Sequence, residues 1–393
     1  MRIGDKKVHY TFLNYAIALF FMASPIESIA VFDNFSIAKL SALFVMLGWM
    51  TQSFKTTSSK MSSALLGLTI FSTLSIVWSI DIETTFNQIV FMLWPSTLMM
   101  LALCKSINKV EDIKLYLFFY VVGCSIASIS TFIFRDAVLA EAVMSGQERL
   151  TAFGQDQNTL AYLLCVGVTI LLDCFRRSHV KKNQYICIAI IFIFVLTILS
   201  TGSRTGMILT LVIFGFYSVS SGSIKSLLLM FLCVLIAFPF VYSFIPESIW
   251  ERFSETEQLV NDGNFSGRGK AWEAGLKAIL SENILLGVGF SNFSTMLQRH
   301  FGWHMASHNT YLSYFCDIGI IGFGLFLSVL YKLYKIVKLT AKKHKDLYIY
   351  AYYLPFLMVI FTLETEYKRW IFILAITLEA YYRLSSNKNN KIQ

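Results

Sequence analysis

Three short polar motifs interrupt a largely apolar chain, and each carries residues able to act on a charged or hydroxyl-bearing substrate. The first, Ser200-Thr201-Gly202-Ser203-Arg204-Thr205-Gly206, reads as a tight turn between two apolar segments. Its two glycines permit backbone conformations that expose N–H groups, and Ser203 can cap the helix that follows. Arg204 then stands beside the positive end of that helix's dipole, which suits an anionic group such as a diphosphate. An arginine that anchors a span end to lipid headgroups is the plainer reading of the same residues. The second motif, Ser266-Gly267-Arg268-Gly269-Lys270-Ala271-Trp272, places Arg268 near another helix start. Apolar Trp272, Leu276, Ile279 and Leu280 recur behind it at helical spacing, with Lys270, Glu273 and Lys277 between them. That pattern is an amphipathic helix able to lie on a leaflet, or a solvated loop helix. The third motif is Ser307-His308-Asn309-Thr310-Tyr311-Leu312, followed by Gly319-Ile320-Ile321-Gly322. Histidine titrates near neutrality, so His308 at the mouth of a span can act as a general base toward a hydroxyl group.

Other constellations are weaker. His300, His304 and His308 recur every four residues, but no His-Glu-x-x-His glutamate accompanies them and Gly302 argues against one continuous helix, so no metal site is expected. Asp317 lies nine residues beyond His308, on roughly the opposite helical face, which disfavours a direct dyad. An intramembrane carboxylate is nonetheless functional or paired by default. In Glu148-Arg149-Leu150-Thr151-Ala152-Phe153-Gly154-Gln155-Asp156-Gln157-Asn158, Arg149 and Asp156 can pair in a structural turn. Asp81-Ile82-Glu83 reads as a solvated turn, and Gly287-Val288-Gly289 is too little for a nucleotide-binding fingerprint.

The elements that must hold these motifs follow from composition. Of 393 residues, 56% are hydrophobic and only 15% charged, against roughly a quarter charged in soluble domains. A soluble core cannot hide so much apolar surface, and disordered or disulfide-scaffold classes fail on the same figures. The expected fold is therefore an all-α integral membrane protein. Twelve segments meet the requirement of about 20 apolar residues or approach it. They are 12–32, 36–51, 62–80, 86–104, 113–134, 158–175, 184–200, 204–220, 224–245, 309–337, 347–363 and 369–383. Three regions follow: spans one to nine in 1–245, a large polar outer loop at 246–308 carrying short amphipathic helices, and the last three spans with a tail in 309–393. With both termini inside, the inner segments hold 22 of the 33 lysines and arginines and the outer loops ten. That asymmetry is the positive-inside pattern, so the net charge of +9 is a topology signal and not a nucleic-acid footprint. The seven cysteines lie in or beside apolar segments and read as small hydrophobic residues.

Taken in order, the motifs resemble the O-antigen ligase and polysaccharide polymerase superfamily of bacterial envelope glycosyltransferases. The likeness rests on Ser203-Arg204, on Ser266-Gly267-Arg268 with Trp272 four residues on, and on Gly287-x-Gly289. His308-Asn309-x-x-Leu312, Gly319-x-x-Gly322 and the Arg149 to Asn158 stretch complete it, covering about Arg149 to Phe326. Gln157 stands where many relatives have proline. The resemblance implies a donor glycan on undecaprenyl diphosphate, moved to an acceptor sugar hydroxyl on lipid A–core or on another lipid-linked glycan. It implies that Arg204 and Arg268 hold the diphosphate, that His308 activates the acceptor, and that Arg149, Ser203 and Asn309 contribute to substrate binding. No cofactor, metal or nucleotide sugar is implied. The expected setting is the bacterial inner membrane, with membrane lipid as a partner, both termini cytoplasmic and the active site facing the periplasm. Direct displacement by the acceptor would invert the anomeric centre. Ligation of O-antigen to lipid A–core is the leading expectation and repeat-unit polymerisation the alternative. A polytopic transporter or flippase is the competing class, which the dissimilar halves and the late external loop disfavour.

Overall fold

The computed structural model describes residues 10–27, 29–32, 35–51, 60–134, 152, 156–221, 228, 268–364 and 372–389. Helices α1 (Phe12–Ala23), α2 (Ile37–Met50), α3 (Lys60–Leu74), α4 (Ile82–Gln88), α5 (Trp94–Ser106), α6 (Val110–Ile133) and α7 (Gln157–Arg177) form the first half. Helices α8 (Lys181–Ser200), α9 (Arg204–Ser221), α10 (Gly269–Leu280), α11 (Phe293–Phe301), α12 (Thr310–His344), α13 (Tyr350–Thr362) and α14 (Phe372–Asn389) form the second. Among the described residues, seven helical stretches are long and apolar enough to cross a membrane. They are Met61–Trp78, Ile82–Cys104, Val110–Ile133, Gln157–Arg177, Lys181–Ser200, Arg204–Ser221 and Thr310–His344. The segments around α1, α2 and α13 are apolar but shorter, and the expected span at 224–245 lies outside the described residues.

Two expectations need correction. The segment 12–32 is not one continuous helix. It narrows into a tight turn at Ser24–Ile26, where Pro25 lacks the N–H that would continue the ladder. The chain then forms a short two-stranded antiparallel ribbon, β1 (Ala30–Phe32) with β2 (Phe35–Ser36), a local departure within the all-helical fold. The fourth segment starts earlier than expected, because Asp81 caps α4 by accepting the Thr84 N–H at 3.0 Å. A π turn at Ile89–Leu93 joins α4 to α5 just before Pro95, whose missing donor loosens the α-helical register there.

Polar contacts sort the helix ends into two groups. At one end, Trp78 Nε1–H donates to Leu286 O at 2.9 Å and Thr85 Oγ1 to Phe290 O at 3.0 Å. Ser203 Oγ–H donates to Asn158 Oδ1 at 2.9 Å at that same end. At the other end, Arg176 binds Asp173 and Asp346, each at 2.6 Å, Arg177 reaches Asp346 at 3.1 Å, and Arg383 donates to Ile107 O at 2.6 Å. Among the described residues, the start of α9, the segment 286–290 and the stretch that follows α3 thus lie at one end, and the α7 terminus with Asp346 at the other.

A large apolar core runs through α1, α6 to α9 and α12 to α14. A smaller cluster at the polar-motif end contains Ala271, Ile279, Val288, Phe293, Met296, Leu297, Leu312 and Cys316. It packs α10 and α11 onto the top of α12 as a cap. The buried face of α10 is Ala271, Gly275, Ala278 and Ile279, while Leu276 and Leu280 are 48% and 72% exposed. The expected apolar stripe is thus divided. Small residues face the protein because the Phe293 ring lies where a Cβ on Gly275 would sit, 2.5 Å away.

Helix α12 breaks at Ile318 and Gly319, and the cap fills the break. Val288 N–H donates to Cys316 O at 3.1 Å, Gly289 N–H to Asp317 O at 2.8 Å, and Ile320 N–H to Ile284 O at 3.0 Å. Backbone groups released by the break thereby keep partners in a buried setting where unsatisfied ones are costly. Gly319 has φ +65° and Gly287 has φ +77°, and a Cβ on either would lie within about 2.4 Å of the other strand's backbone. Asp317 accepts the Ser291 and Asn292 N–H groups at 2.9 and 3.0 Å at the start of α11. Its carboxylate is paired by backbone amides, away from His308.

Candidate functional site

Five chain segments meet at the end of α13. Thr362 O accepts from Arg268 Nη1–H at 2.9 Å, and Leu363 O accepts from Thr310 Oγ1 at 2.6 Å. Glu364 accepts the Ser307 N–H. Across from these contacts, a narrow crevice between α7, α9 and α13 is lined by Asn158, Tyr162, Thr205, Gly206, Thr362 and Leu363. The crevice connects the Arg204 turn to the α13 terminus that receives Arg268.

Each motif is positioned by local chemistry. Gly202 takes φ +62°, Ser203 Oγ accepts the Gly206 N–H at 3.3 Å as the helix cap, and Arg204 begins α9. Gly206 itself is helical, which corrects the expectation that both glycines shape the turn. A Cβ there would lie 2.7 Å from Ala161 Cβ, so Gly206 serves close approach of α9 to α7. Arg268 precedes the first turn of α10 and is half-buried. Asn309 caps α12, its Oδ1 accepting the Tyr311 and Leu312 N–H groups at 3.0 and 3.2 Å. Between Ser307 and Asn309, His308 adopts φ +47°, a left-handed conformation that a side-chain-bearing residue holds only when its surroundings enforce it.

Those surroundings grip the Ser307 peptide units from both sides. The N–H is held by Glu364, and the carbonyl accepts from Trp272 Nε1–H at 2.8 Å. Ser307 Oγ adds bonds to Asn309 O at 3.0 Å and Ser313 Oγ at 2.6 Å. The Trp272 ring packs edge-on against Phe361, centroids 5.6 Å apart.

Electrostatics favour a neutral imidazole. Burial holds His308 below its usual range and the nearby Arg268 charge pushes it the same way, while Glu364 and Asp156 oppose both. Burial also lowers Arg268, with Asp156 resisting, but a guanidinium stays charged at any physiological pH. A neutral imidazole beside a fixed cation can take a proton from a hydroxyl while the cation faces an anion.

Of the residues singled out in the sequence, Arg268 and the loop that carries His308 meet at the end of α13. Thr205 and Gly206, which follow Arg204, line the crevice beside the same α13 terminus. Ser203 and Asn309 are helix caps, and Arg149 lies outside the described residues. His300 and His304 point elsewhere, to Glu282 Oε1 at 2.9 Å and Ser294 Oγ at 3.3 Å, and Gly302 ends α11 with φ +78°. Glu364 stood out in the sequence only within a charged cluster with Glu366, Lys368 and Arg369, without an assigned role. Its one signal was position: it stands just past the span end at Leu363, on the same outer side as His308. Asp156, whose side chain caps α7 through Thr159 N–H at 2.8 Å, was noticed only as a possible partner of Arg149.

Residues 189–327 match the O-antigen ligase family (Wzy_C). That match supports the O-antigen ligase superfamily for this chain, in agreement with the order of its motifs. Arg204, Arg268 and His308 all fall inside the O-antigen ligase segment, whereas Asp156 and Glu364 flank it. Members of the O-antigen ligase family are membrane glycosyltransferase-like enzymes, ligases or polymerases. The apolar helices indicate a multi-pass membrane protein. No curated protein matches the chain.

Proposed function

We propose that the chain transfers a glycan from undecaprenyl diphosphate to an acceptor sugar hydroxyl at the periplasmic face of the bacterial inner membrane. The termini lie in the cytoplasm and the 246–308 loop in the periplasm. Ligation of O-antigen to lipid A–core takes precedence over repeat-unit polymerisation, because the matched family carries the ligase description. The observation that carries the reading is the half-buried His308, set in a left-handed backbone conformation next to Ser307, which Glu364 binds, at the α13 terminus where Arg268 also binds.

In the reaction, the acceptor oxygen attacks the anomeric carbon as His308 takes its proton. The bond from that carbon to the diphosphate oxygen breaks, and the electron pair stays on the diphosphate. Arg204 and Arg268 stabilise that developing charge near a low-dielectric boundary, where fixed cations act most strongly. Attack opposite the leaving group inverts the anomeric centre, and none of these steps calls on a metal. Arg149 contributes to substrate binding, while Ser203 and Asn309 act by fixing two helix starts.

Purified protein reconstituted with lipid-linked donor and acceptor tests the reading. His308→Ala and Arg204→Ala should abolish transfer, a positioned base alone supplying about 10²–10⁴-fold, with insertion into the membrane unchanged. Wild-type transfer by either variant would overturn the assigned roles. Lipopolysaccharide from a deletion strain separates the two activities. Loss of all O-antigen from core marks a ligase, and a single repeat left on core marks a polymerase.

A further inference from the structure

The residue before His308 is held more tightly than a loop residue requires. Ser307 has no chemistry in the proposed reaction, yet its backbone N–H, carbonyl and hydroxyl are all engaged, and its side chain is fully buried. The two backbone partners come from far apart in the chain, Trp272 on α10 and Glu364 beyond α13. Both partners are long side chains whose ordering costs conformational entropy. The residue that follows Ser307 has a left-handed φ, a conformation that relaxes unless the peptides leading into it are fixed. Asn309 already caps α12 from the other side, so the His308 backbone is clamped at each end.

We infer that Glu364 and Trp272 are positioning residues for the His308 imidazole, acting through the two peptide groups of Ser307. The inference rests on the proposed role of His308 as base. Trp272 fixes the peptide that leads into His308, and Glu364 fixes the one before it. Glu364 contributes its charge as well, facing His308 together with Asp156 from α7 and against Arg268 from α10. Neither residue needs to touch substrate, so their loss should show in turnover and not in donor affinity.

Three variants of the reconstituted full-length protein test this. Trp272→Phe keeps the ring against Phe361 but removes the N–H donor, Glu364→Gln keeps an oxygen acceptor without the charge, and Glu364→Ala removes both. Misplacing a catalytic group by about 1 Å can cost about 10²-fold. Trp272→Phe and Glu364→Ala should therefore lower kcat about 10- to 100-fold with donor KM nearly unchanged. Glu364→Gln should recover most of kcat. Its acid limb should move to lower pH, because removing a negative charge makes the imidazole harder to protonate. Wild-type kcat in Glu364→Ala and Trp272→Phe would overturn the inference, as would a loss confined to KM or an acid limb unmoved in Glu364→Gln. His308→Ala is measured alongside. Wild-type transfer by His308→Ala would remove the proposed function itself, whereas an inert His308→Ala beside fully active Trp272→Phe and Glu364→Ala would remove only the positioning role.

Discussion

Exchanging Arg268 for lysine and, separately, for glutamine divides two properties of one guanidinium. One arm donates to Thr362 O at 2.9 Å, which ties α10 to the end of α13 and leaves the rest of the planar fork for a phosphate oxygen. The ammonium of Arg268→Lys is a compact point charge that cannot span both positions, so one hydrogen bond to a charged group is forfeited. Such a bond contributes about 1.5–3 kcal/mol, and about 1.4 kcal/mol is tenfold in rate. Arg268→Lys should therefore lose about 10- to 150-fold in kcat/KM while the shape of its pH profile stays unchanged. Arg268→Gln loses the charge too and should fall further. The sign of its pH effect follows from His308. A base must be neutral, burial and Arg268 together hold the imidazole below its usual range, and rate is lost as pH falls through that range. Without the Arg268 charge, Glu364 and Asp156 still favour the imidazolium, so the acid limb should move to higher pH. Initial rates of glycan transfer measured across pH with both variants settle the matter. A limb that stays put or moves down in Arg268→Gln would refute the electrostatic link to His308, and full activity in Arg268→Lys would refute the two-armed role.

Gly206→Val should destabilise by about 1–3 kcal/mol, because its Cβ would sit 2.7 Å from Ala161 Cβ and force α9 away from α7. A lower melting temperature and weaker transfer are expected, both partly restored by adding Ala161→Gly. Asp346→Asn breaks the bidentate pair with Arg176 at the opposite end of the bundle and should cost about 1–3 kcal/mol. Thermal unfolding should show that loss while kcat of the folded protein stays near wild type.

The helical framework was legible because a bilayer leaves a spanning chain little choice but to satisfy its backbone locally, and long apolar runs therefore mean helices. Caps were legible for the same local reason, as Ser203 illustrates. What escaped was set by contacts between distant segments. Nothing in the run from Phe12 to Phe32 weighs Pro25 against the apolar residues around it. The spacing of Trp272, Leu276 and Leu280 announces an apolar face, but the aromatic Phe293 decides that Gly275 is the residue to bury. Asp317 read as functional or paired, but its partners could not be named because they are backbone amides, which every sequence has. The role of Glu364 escaped because a carboxylate that grips a peptide leaves no motif. Arg268 and His308 were visible as candidates, but nothing in the sequence announced that the end of α13 would receive both segments.

The interlock of the broken α12 with the turn above it has a practical side for anyone recombining such proteins. Ile284 to Asn292 and Cys316 to Ile321 exchange amide–carbonyl pairs and the Asp317 carboxylate, so they behave as a single cassette although 23 residues separate them. A chimaera that imports either half alone would orphan donors and acceptors and press a Cβ into a glycine's place. Grafts meant to alter acceptor choice belong either outside that pair or across both halves at once.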